Sequence, residues 1–247
     1  MENLIEIHII CYNEHIMLPF TINHYRRMFK NPKFTVHNNI STDDSKEIAL
    51  ALGCEVVDFV TEGMNDTIQS KIKSEAYLNC KAQWYLCIDC DECCLITEED
   101  LLNADFNICQ FEGWNIFDSV NSPFEVKVPM GIQDSGYSKP CCIKAGEFSQ
   151  VLFAAGAHKI DKLIPNEGID IVWSKNEFKL LHYKHWSCKY NIDRSKELGA
   201  RQSDDNKRKN HSFHFSLPEK VHIDWFNQYF ANRQVIEDKR LELLKVE

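Results

Sequence analysis

Apolar runs alternate with helix-like segments through the first 92 residues of the chain. The runs are rich in β-branched and aromatic residues and predict strands at Leu4–Cys11, Phe34–His37, Cys54–Val60 and Trp84–Ile88. The segments between them predict three helices, one through Met17–Met28, one that Gly53 ends and one over roughly Thr67–Ala82. Strands that alternate with helices form parallel sheets with helices on their faces, so the fold class is α/β.

Each predicted strand of this half is followed by a polar loop. The loops are Asn13-Glu14, the stretch from Asn38 to Asp44, Asn65-Asp66 and the acidic group Asp89, Asp91 and Glu92. In open parallel sheets, ligands bind beyond the carboxyl ends of the strands, where the strand order reverses. We therefore expect these loops to meet at one edge and to form a site.

After Thr97 the strands become short and irregular in spacing. They are predicted at Ile108–Phe111, Glu125–Met130, Cys141–Lys144, Val151–Phe153, Ile169–Trp173 and Phe178–His182. We expect a mixed extension of the mostly parallel sheet, followed by a helix over Ser187–Arg201. A long amphipathic helix is predicted over Pro218–Lys245, with Val221, Trp225, Tyr229 and Phe230 against the body. The chain is interpreted as one domain: a nucleotide-binding half (1–95), an acceptor half (96–210) and a C-terminal helical segment (211–247).

Composition narrows the classes of function. The 247 residues carry a formal net charge of −9, which argues against nucleic acid as the partner. No apolar stretch is long enough to span a bilayer and no secretion signal is visible, so we expect a cytoplasmic protein with at most peripheral membrane contact. The 11 cysteines are then best interpreted as reduced thiols, and their spacing fits a zinc site poorly.

The candidate chemistry is concentrated at the end of the fourth predicted strand. Asp89 and Asp91 are two residues apart, so an extended backbone would project both carboxylates to the same side. Two such carboxylates repel each other unless a cation lies between them, and Mg²⁺ or Mn²⁺ with a substrate diphosphate suits their oxygen ligands. The alternative is a polar turn that ends the strand.

These motifs together resemble a known family. The chain resembles the nucleotide-sugar glycosyltransferases of the GT-A fold, in the broad family-2-like group. The resemblance lies in three motifs, each of which follows a predicted strand: Tyr-Asn-Glu, Asn-Asn-x-Ser-Thr-Asp and x₃-Asp-x-Asp-Glu. The likeness is strongest over residues 1–92. Further motifs resemble a small branch found in bacteria and large DNA viruses: Tyr137-Ser138-Lys139-Pro140, Gly156-Ala157-His158, Leu181-His182-Tyr183-Lys184 and Arg194. One departure is Asn38-Asn39 where the family often has an aspartate that contacts the base.

The resemblance implies a metal-dependent hexosyl- or pentosyltransferase that uses a UDP- or GDP-sugar donor and a glycan, glycoprotein or glycolipid acceptor. It implies that Asp91 and Asp89 hold Mn²⁺ or Mg²⁺ with His182 as a further ligand and His185 as its substitute. Phosphate or ribose contacts fall to Lys73 and Lys184. The remaining substrate contacts are expected at Tyr12, Asn13, Glu14, Asn38, Asn39, Asp43, Asp66 and Lys139.

Inverting transfer, which the resemblance favours, requires a base that takes the acceptor's proton. Asp134, His158, Glu167 and Asp170 are all candidates, and Asp134 and His158 are preferred. Two rival functions stay open. One is a phosphohydrolase with an aspartate nucleophile, which normally places that residue after the first strand. The other is a non-catalytic protein that binds a sugar nucleotide or a partner on a degenerate transferase fold.

Overall fold

The computed structural model describes residues 3–175 and 177–244. The alternation of strand and helix in the first half is as the sequence predicts. Its elements are β1 (Ile5–Cys11), α1 (Met17–Met28), β2 (Lys33–Asn38), α2 (Ser45–Ala51), β3 (Glu55–Asp58), α3 (Asp66–Asn79), β4 (Trp84–Asp89), β5 (Glu92–Leu95) and α4 (Glu98–Leu102). Gly53 follows α2 with a φ of +71°, a left-handed conformation that glycine adopts without steric cost.

The first half forms a parallel block that contains a reversal of strand order. β1 pairs in parallel with β2 on one side and with β4 on the other, and β2 pairs in parallel with β3. Every residue of β1 is buried, because both faces of the sheet are covered. The chain therefore passes outward from β1 to β3 and returns to the opposite side of β1 as β4. The crevice at the carboxyl ends of β1 and β4 is the expected place for a ligand.

The second half extends the same sheet with mixed strand directions. Its elements are β6 (Ile108–Phe117), β7 (Met130–Gln133), β8 (Lys139–Lys144), β9 (Phe148–Phe153), β10 (Ile160–Pro165), β11 (Phe178–His185), α5 (Cys188–Ala200), α6 (Asp204–Lys209), α7 (Glu219–Asn232) and β12 (Gln234–Val235). The order of the ten-stranded sheet is β12-β7-β6-β8-β4-β1-β2-β3, and β11 pairs with both β5 and β6. β9 and β10 form a separate antiparallel hairpin.

Two of the predicted strands are wrong. Residues Pro123–Glu125 form a 3₁₀ turn, and the extended pairing begins only at Met130. Pro129, inside the predicted run, has no N–H to donate to a ladder. The run Ile169–Trp173 is not a strand in the structure. Trp173 makes an isolated bridge to Ile108, the Val172 carbonyl accepts the Ile108 N–H, and the Val172 N–H donates to the Asn107 side chain at 2.9 Å.

The last predicted helix is also shorter than expected. It ends at Asn232, and the next residues pair with the edge strand β7 as β12. An unpaired strand edge offers backbone donors and acceptors, and this pairing satisfies them. Within α7 the buried side chains are His222 and Phe226, whereas Trp225 and Tyr229 are partly exposed. The predicted end at Lys245 lies outside the described residues.

No helix in the described ranges is both long enough and apolar enough to cross a bilayer.

Candidate functional site

A cleft of about 400 Å³ opens at the carboxyl ends of β1 and β4. Its walls come from the loop after β1, the turn after β4, the first turn of α3, β11, α5 and residues 210–214. Of the predicted site residues, the cleft is lined by Tyr12, Glu14, Asp66, Asp89, Asp91, His158 and Lys184. Those outside its lining are Asn13, Asn38, Asn39, Asp43, Lys73, Asp134, Lys139 and His182. The polar loops were predicted to meet at one edge of the sheet, and some of the predicted site residues do meet there.

A cluster of possible metal ligands, Asp91, Glu92 and His182, adjoins the cleft through Asp91. Each offers one ligand atom, and the three atoms lie within 4.8 Å of one another. The Nε2 atom of His182 lies 3.3 Å from a carboxylate oxygen of Asp91. The ladder explains this proximity, because His182 on β11 lies opposite Glu92 on β5. Carboxylate oxygens and an imidazole suit Mn²⁺ and also Mg²⁺ when further oxygens complete the shell.

Charge also favours the ionised form of Asp91. Burial by itself would raise its pKa, but His182, when its ring is protonated, lowers the pKa below the ordinary aspartate value. The chain turns at Cys90-Asp91, so the extended backbone ends at Asp89. Asp89 and Asp91 both line the cleft, yet their carboxylates contact different partners.

Asp89 is held by two buried lysines. Its two oxygens accept hydrogen bonds from Lys73 Nζ at 2.8 Å and from Lys139 Nζ at 3.2 Å. Lys139 also pairs with Glu92, whose other oxygen accepts the Asp89 backbone N–H at 2.9 Å. Burial would raise the pKa of Asp89, but the ammonium groups of Lys139 and Lys73 keep it well below its usual range. Lys73 and Lys139 were predicted to contact substrate, and the structure gives both of them carboxylate partners inside the protein.

The amide side chains predicted to contact substrate are engaged in internal hydrogen bonds. Asn38 donates to Asp58 at 2.7 Å, and Asn39 donates to Thr61 at 2.9 Å. The oxygen of Asn13, a residue with a φ of +51°, accepts the Thr42 N–H at 2.8 Å. These contacts shape the turns that follow β1 and β2.

Asp43 makes contacts with its own loop and with the loop after β1. One carboxylate oxygen accepts the Ser45 N–H at 3.0 Å, and the other lies 2.8 Å from His15 Nδ1. The side chain therefore joins the start of α2 to His15 in the loop before α1.

Glu14 and Tyr12 attach α5 to the end of β1. Glu14 accepts a hydrogen bond from Arg194 at 2.6 Å, and burial raises the pKa of the Glu14 carboxyl to about 7 despite that guanidinium. The guanidinium of Arg201 lies 3.1 Å from the centroid of the Tyr12 ring. Asp66 accepts a hydrogen bond from Ser212 at 2.8 Å, which ties residues 210–214 to α3.

Two cations in the cleft wall, Lys184 and Arg201, have no acidic partner within residues 3–175 and 177–244. In the described part of the chain, neither Lys184 nor Arg201 has a carboxylate within ion-pairing distance. Lys184 Nζ lies 4.1 Å from the centroid of the Phe215 ring, and Arg201 donates to the oxygen of Asn39 at 2.9 Å. Burial lowers the pKa of Lys184 to about 8, although Asp91 partly opposes the shift. The cleft therefore presents unneutralised positive charge beside the Asp91 carboxylate.

The four candidate bases occupy different surroundings. Asp134 lies outside the cleft lining and hydrogen-bonds Asn115 at 3.1 Å. His158 lines the cleft, and desolvation, followed by the charge of Lys139, lowers its pKa to about 3, so its ring is neutral at pH 7. Glu167 and Asp170 are exposed and do not line the cleft.

Several residues at the site had no predicted role. Arg201, Gln69 and the segment Asn210–His214 line the cleft, and Glu92 joins Asp91 and His182. Arg194 belonged to a recognised motif but had no assigned role. Glu92 could have been found from the sequence because it adjoins Asp91, whereas residues 210–214 reach the cleft only through the tertiary packing of α6 against α3.

Comparison with known proteins gives similarity in architecture only. No protein-family model matches the chain, and no curated protein matches its sequence. Glucosyl-3-phosphoglycerate synthase from Mycobacterium tuberculosis, solved with Mn²⁺, UDP and glucosyl-3-phosphoglycerate, is similar at 16% identity and a TM-score of 0.34 over 46% of this chain and 44% of that one. This chain thus aligns with less than half of the synthase. Residues 1–349 of S. aureus TarS are similar at 12% identity and a TM-score of 0.44 over 94% of this chain and 71% of that one. With such low values, function must be inferred from the residues of this chain.

Proposed function

We propose that the protein is a metal-dependent glycosyltransferase that moves a sugar from a nucleoside-diphosphate sugar to a hydroxyl acceptor. The observation that carries this proposal is the pairing of Asp91 with His182 Nε2, 3.3 Å apart, at the edge of a cleft at the reversal of strand order. Asp91 and His182 would hold the cation, and Glu92 and Asp89 adjoin them, each with both carboxylate oxygens engaged inside the protein. A bound Mn²⁺ or Mg²⁺ supplies Lewis-acid stabilisation of the negative charge on the leaving diphosphate.

The cationic wall supports a diphosphate as the ligand. Lys184 and Arg201 carry positive charge into the cleft without a carboxylate partner among the described residues, and an anionic ligand would offset that charge. Arg201 can offer a planar fork of N–H donors to phosphate oxygens, while Lys184 acts as a point charge. The donor, a UDP- or GDP-sugar, would place its diphosphate between these groups and Asp91.

The acceptor is a glycan, glycoprotein or glycolipid hydroxyl in this proposal, and transfer proceeds with inversion. His158 is the candidate base that the geometry favours, because it lines the cleft, although its lowered pKa makes it a weak base. Asp134 is disfavoured for that role, because its carboxylate already bonds Asn115 and the Gly136 N–H. Three further points stay predictions from the sequence: a cytoplasmic location, a hexosyl or pentosyl donor, and at most peripheral membrane contact.

The test is replacement of Asp91 by Asn. We expect Asp91→Asn to lower donor turnover by at least ~10³-fold, because one amide replaces the carboxylate that would hold the cation. Release of nucleoside diphosphate from UDP- and GDP-sugars with Mn²⁺ measures turnover, and thermal unfolding shows whether the fold is intact. Asp193→Asn, at an exposed surface pair with Lys189, is the control. Full activity in Asp91→Asn would reject the proposal.

A non-catalytic sugar-nucleotide-binding protein is the second candidate. The internal hydrogen bonds of Asn38 and Asn39 favour it, because these amides are not free for a base. The two candidates differ in one measurement: a binding protein is stabilised thermally by UDP or GDP with Mn²⁺ but releases no diphosphate from a donor, with water or glycan as acceptor. The phosphohydrolase would require Asp89 as nucleophile, and both oxygens of Asp89 are paired with lysines.

A further inference from the structure

His182 is positioned by a neighbouring strand as well as by its own. On β6, Asn115 lies opposite His182 in a parallel pair, so both side chains project from the same face of the sheet. His182 Nδ1 lies 2.8 Å from the side-chain oxygen of Asn115, and both residues are buried. The other ring nitrogen, Nε2, is the atom that faces Asp91.

The orientation of the Asn115 amide is determined by Asp134. The amide nitrogen of Asn115 lies 3.1 Å from an Asp134 carboxylate oxygen, which can only accept a hydrogen bond. The amide nitrogen must therefore face Asp134, and the amide oxygen must face His182. An oxygen opposite Nδ1 requires that Nδ1 carry a proton.

Asp134 is in turn held in place by its own turn. Its second oxygen accepts the Gly136 N–H at 2.9 Å, and its backbone N–H donates to the Gly113 carbonyl at 2.8 Å. A Cβ on Gly113 would lie 2.4 Å from the Tyr137 carbonyl carbon and 2.7 Å from the backbone carbonyl oxygen of Asp134, so only glycine lets this turn approach β6. The Tyr137 ring stacks on the His182 ring with centroids 4.5 Å apart, which fixes the plane of the imidazole.

We infer that Asp134 and Asn115 are positioning residues that keep the proton of neutral His182 on Nδ1 and leave Nε2 free to bind a divalent cation together with Asp91. This inference rests on the metal site of the proposed function. Without a cation, an unprotonated Nε2 would face a carboxylate oxygen, and two acceptors would oppose each other. The chain of hydrogen bonds thus selects the tautomer that can serve as a ligand, as partners of metal-binding histidines commonly do.

The test reverses which group donates and which accepts in the hydrogen bonds from Asp134 through Asn115 to His182. In Asp134→Asn the oxygen that accepts from Gly136 is kept, and an NH₂ group replaces the oxygen that faces Asn115. Asn115 must then rotate its amide, so that its NH₂ donates to Nδ1 and the proton moves to Nε2. We expect Mn²⁺ affinity to fall by about 10–100-fold, the usual cost of losing such a partner. The stability of the metal-free protein should change little, because the Nε2 proton would then be donated to Asp91.

The double variant Asp134→Asn/Asn115→Asp restores the original polarity. The new amide at position 134 would donate to the new carboxylate at position 115, and that carboxylate would accept from Nδ1, so Mn²⁺ affinity should recover most of the loss. Affinity is measured by the paramagnetic resonance signal of free Mn²⁺, and Asp161→Asn, in an exposed ion pair with Lys159, is the control. A role of Asp134 in folding alone predicts no such recovery in the double variant.

The outcomes separate this inference from the proposed function. Equal Mn²⁺ affinity in the wild type and Asp134→Asn would overturn the positioning role and leave the metal site intact. A wild type without Mn²⁺ binding would overturn both. Long-range ¹H–¹⁵N spectra of the neutral ring give a readout without metal: the proton is expected on Nδ1 in the wild type and on Nε2 in Asp134→Asn, and a wild-type proton on Nε2 would contradict the inference.

Discussion

Two groups of cations at the carboxyl edge of the sheet differ in their partners. Lys73 and Lys139 are buried and pair with the carboxylates of Asp89 and Glu92. Lys184 and Arg201 line the cleft, and the described residues offer them no carboxylate partner. The first group neutralises charge inside the protein, and the second presents charge to whatever fills the cleft. The comparison indicates which cations belong to the scaffold and which are available to a ligand.

Removal of a cation should change the free energy of unfolding in opposite directions in the two groups. A buried ion pair costs desolvation, which its partner and hydrogen bonds largely offset, but removal of one member leaves a buried charge uncompensated. A buried cation without a carboxylate destabilises the fold by itself, and its removal relieves that cost. Substitution of lysine by methionine, which keeps much of the aliphatic stem, should therefore have opposite signs in the two groups.

The largest effect is expected at Lys139. Lys139→Met removes the ammonium between Asp89 and Glu92 and leaves Glu92 buried without a cation. We expect the free energy of unfolding to fall by about 3–5 kcal/mol, the cost of an uncompensated buried charge. Urea denaturation at pH 7 measures the change.

Lys144→Met provides the matched control on the same strand. Lys144 is half-exposed and pairs with Glu147 at 3.0 Å, so its loss should cost less than about 1 kcal/mol. Equal free energies of unfolding in Lys139→Met and Lys144→Met would show that the Asp89–Lys139–Glu92 contacts contribute no net stability. The distinction between the two groups of cations would then be wrong.

Lys184→Met should have the opposite effect on stability. The pKa of Lys184 is lowered from 10.5 in an ordinary lysine to about 8, so below pH 8 the folded state carries a cation that it disfavours by about 3 kcal/mol. Removal of the charge should raise the free energy of unfolding by up to this amount at pH 7. The gain should disappear as the pH rises from about 8 to 10.5, because the wild-type lysine then loses its proton in the folded state first and finally in both states.

The same variant should bind ligand less well. Loss of a charge-assisted contact to phosphate should weaken UDP or GDP binding with Mn²⁺ by about 10–100-fold, as measured by calorimetry. Lys189→Met, at an exposed ion pair, is the control and should alter neither quantity. A variant that is less stable than the wild type at pH 7 would show that Lys184 is part of the scaffold.

The sequence could not distinguish these lysines. Lys73, Lys139 and Lys184 were all predicted to contact substrate, because each lies near a motif. Their difference depends on pairings such as Lys139 with Asp89, which are 50 positions apart and meet only when β8 pairs with β4. Spacing along the chain contains no information on that pairing.

The parts that the sequence did predict depend on local patterns. The alternation of apolar strands and helices through Asp89 is confirmed, since buried parallel strands leave unbroken apolar runs. Proximity of Asp91 to His182 agrees with the predicted ligand pair, whose role as ligands stays a prediction. The errors fall where the alternating pattern of residues 125–130 conflicts with Pro129, and where α7 ends so that Gln234 can pair with an edge strand.

Substitution of Arg201 should have the smallest effect on nucleotide binding, and it distinguishes the roles of the two cations in the second group. Its guanidinium is half-buried, stacks on Tyr12 and donates to Asn39, so water screens its charge more than that of Lys184. We expect Arg201→Gln to weaken UDP or GDP binding with Mn²⁺ by about 5-fold, near 1 kcal/mol, with little change in stability. Arg201→Lys keeps the charge but loses the planar fork, so calorimetry should place it between the wild type and Arg201→Gln. If Arg201→Gln instead weakened binding more than Lys184→Met, the guanidinium would be the main phosphate contact, and the assignment of that role to the more deeply buried cation would be wrong.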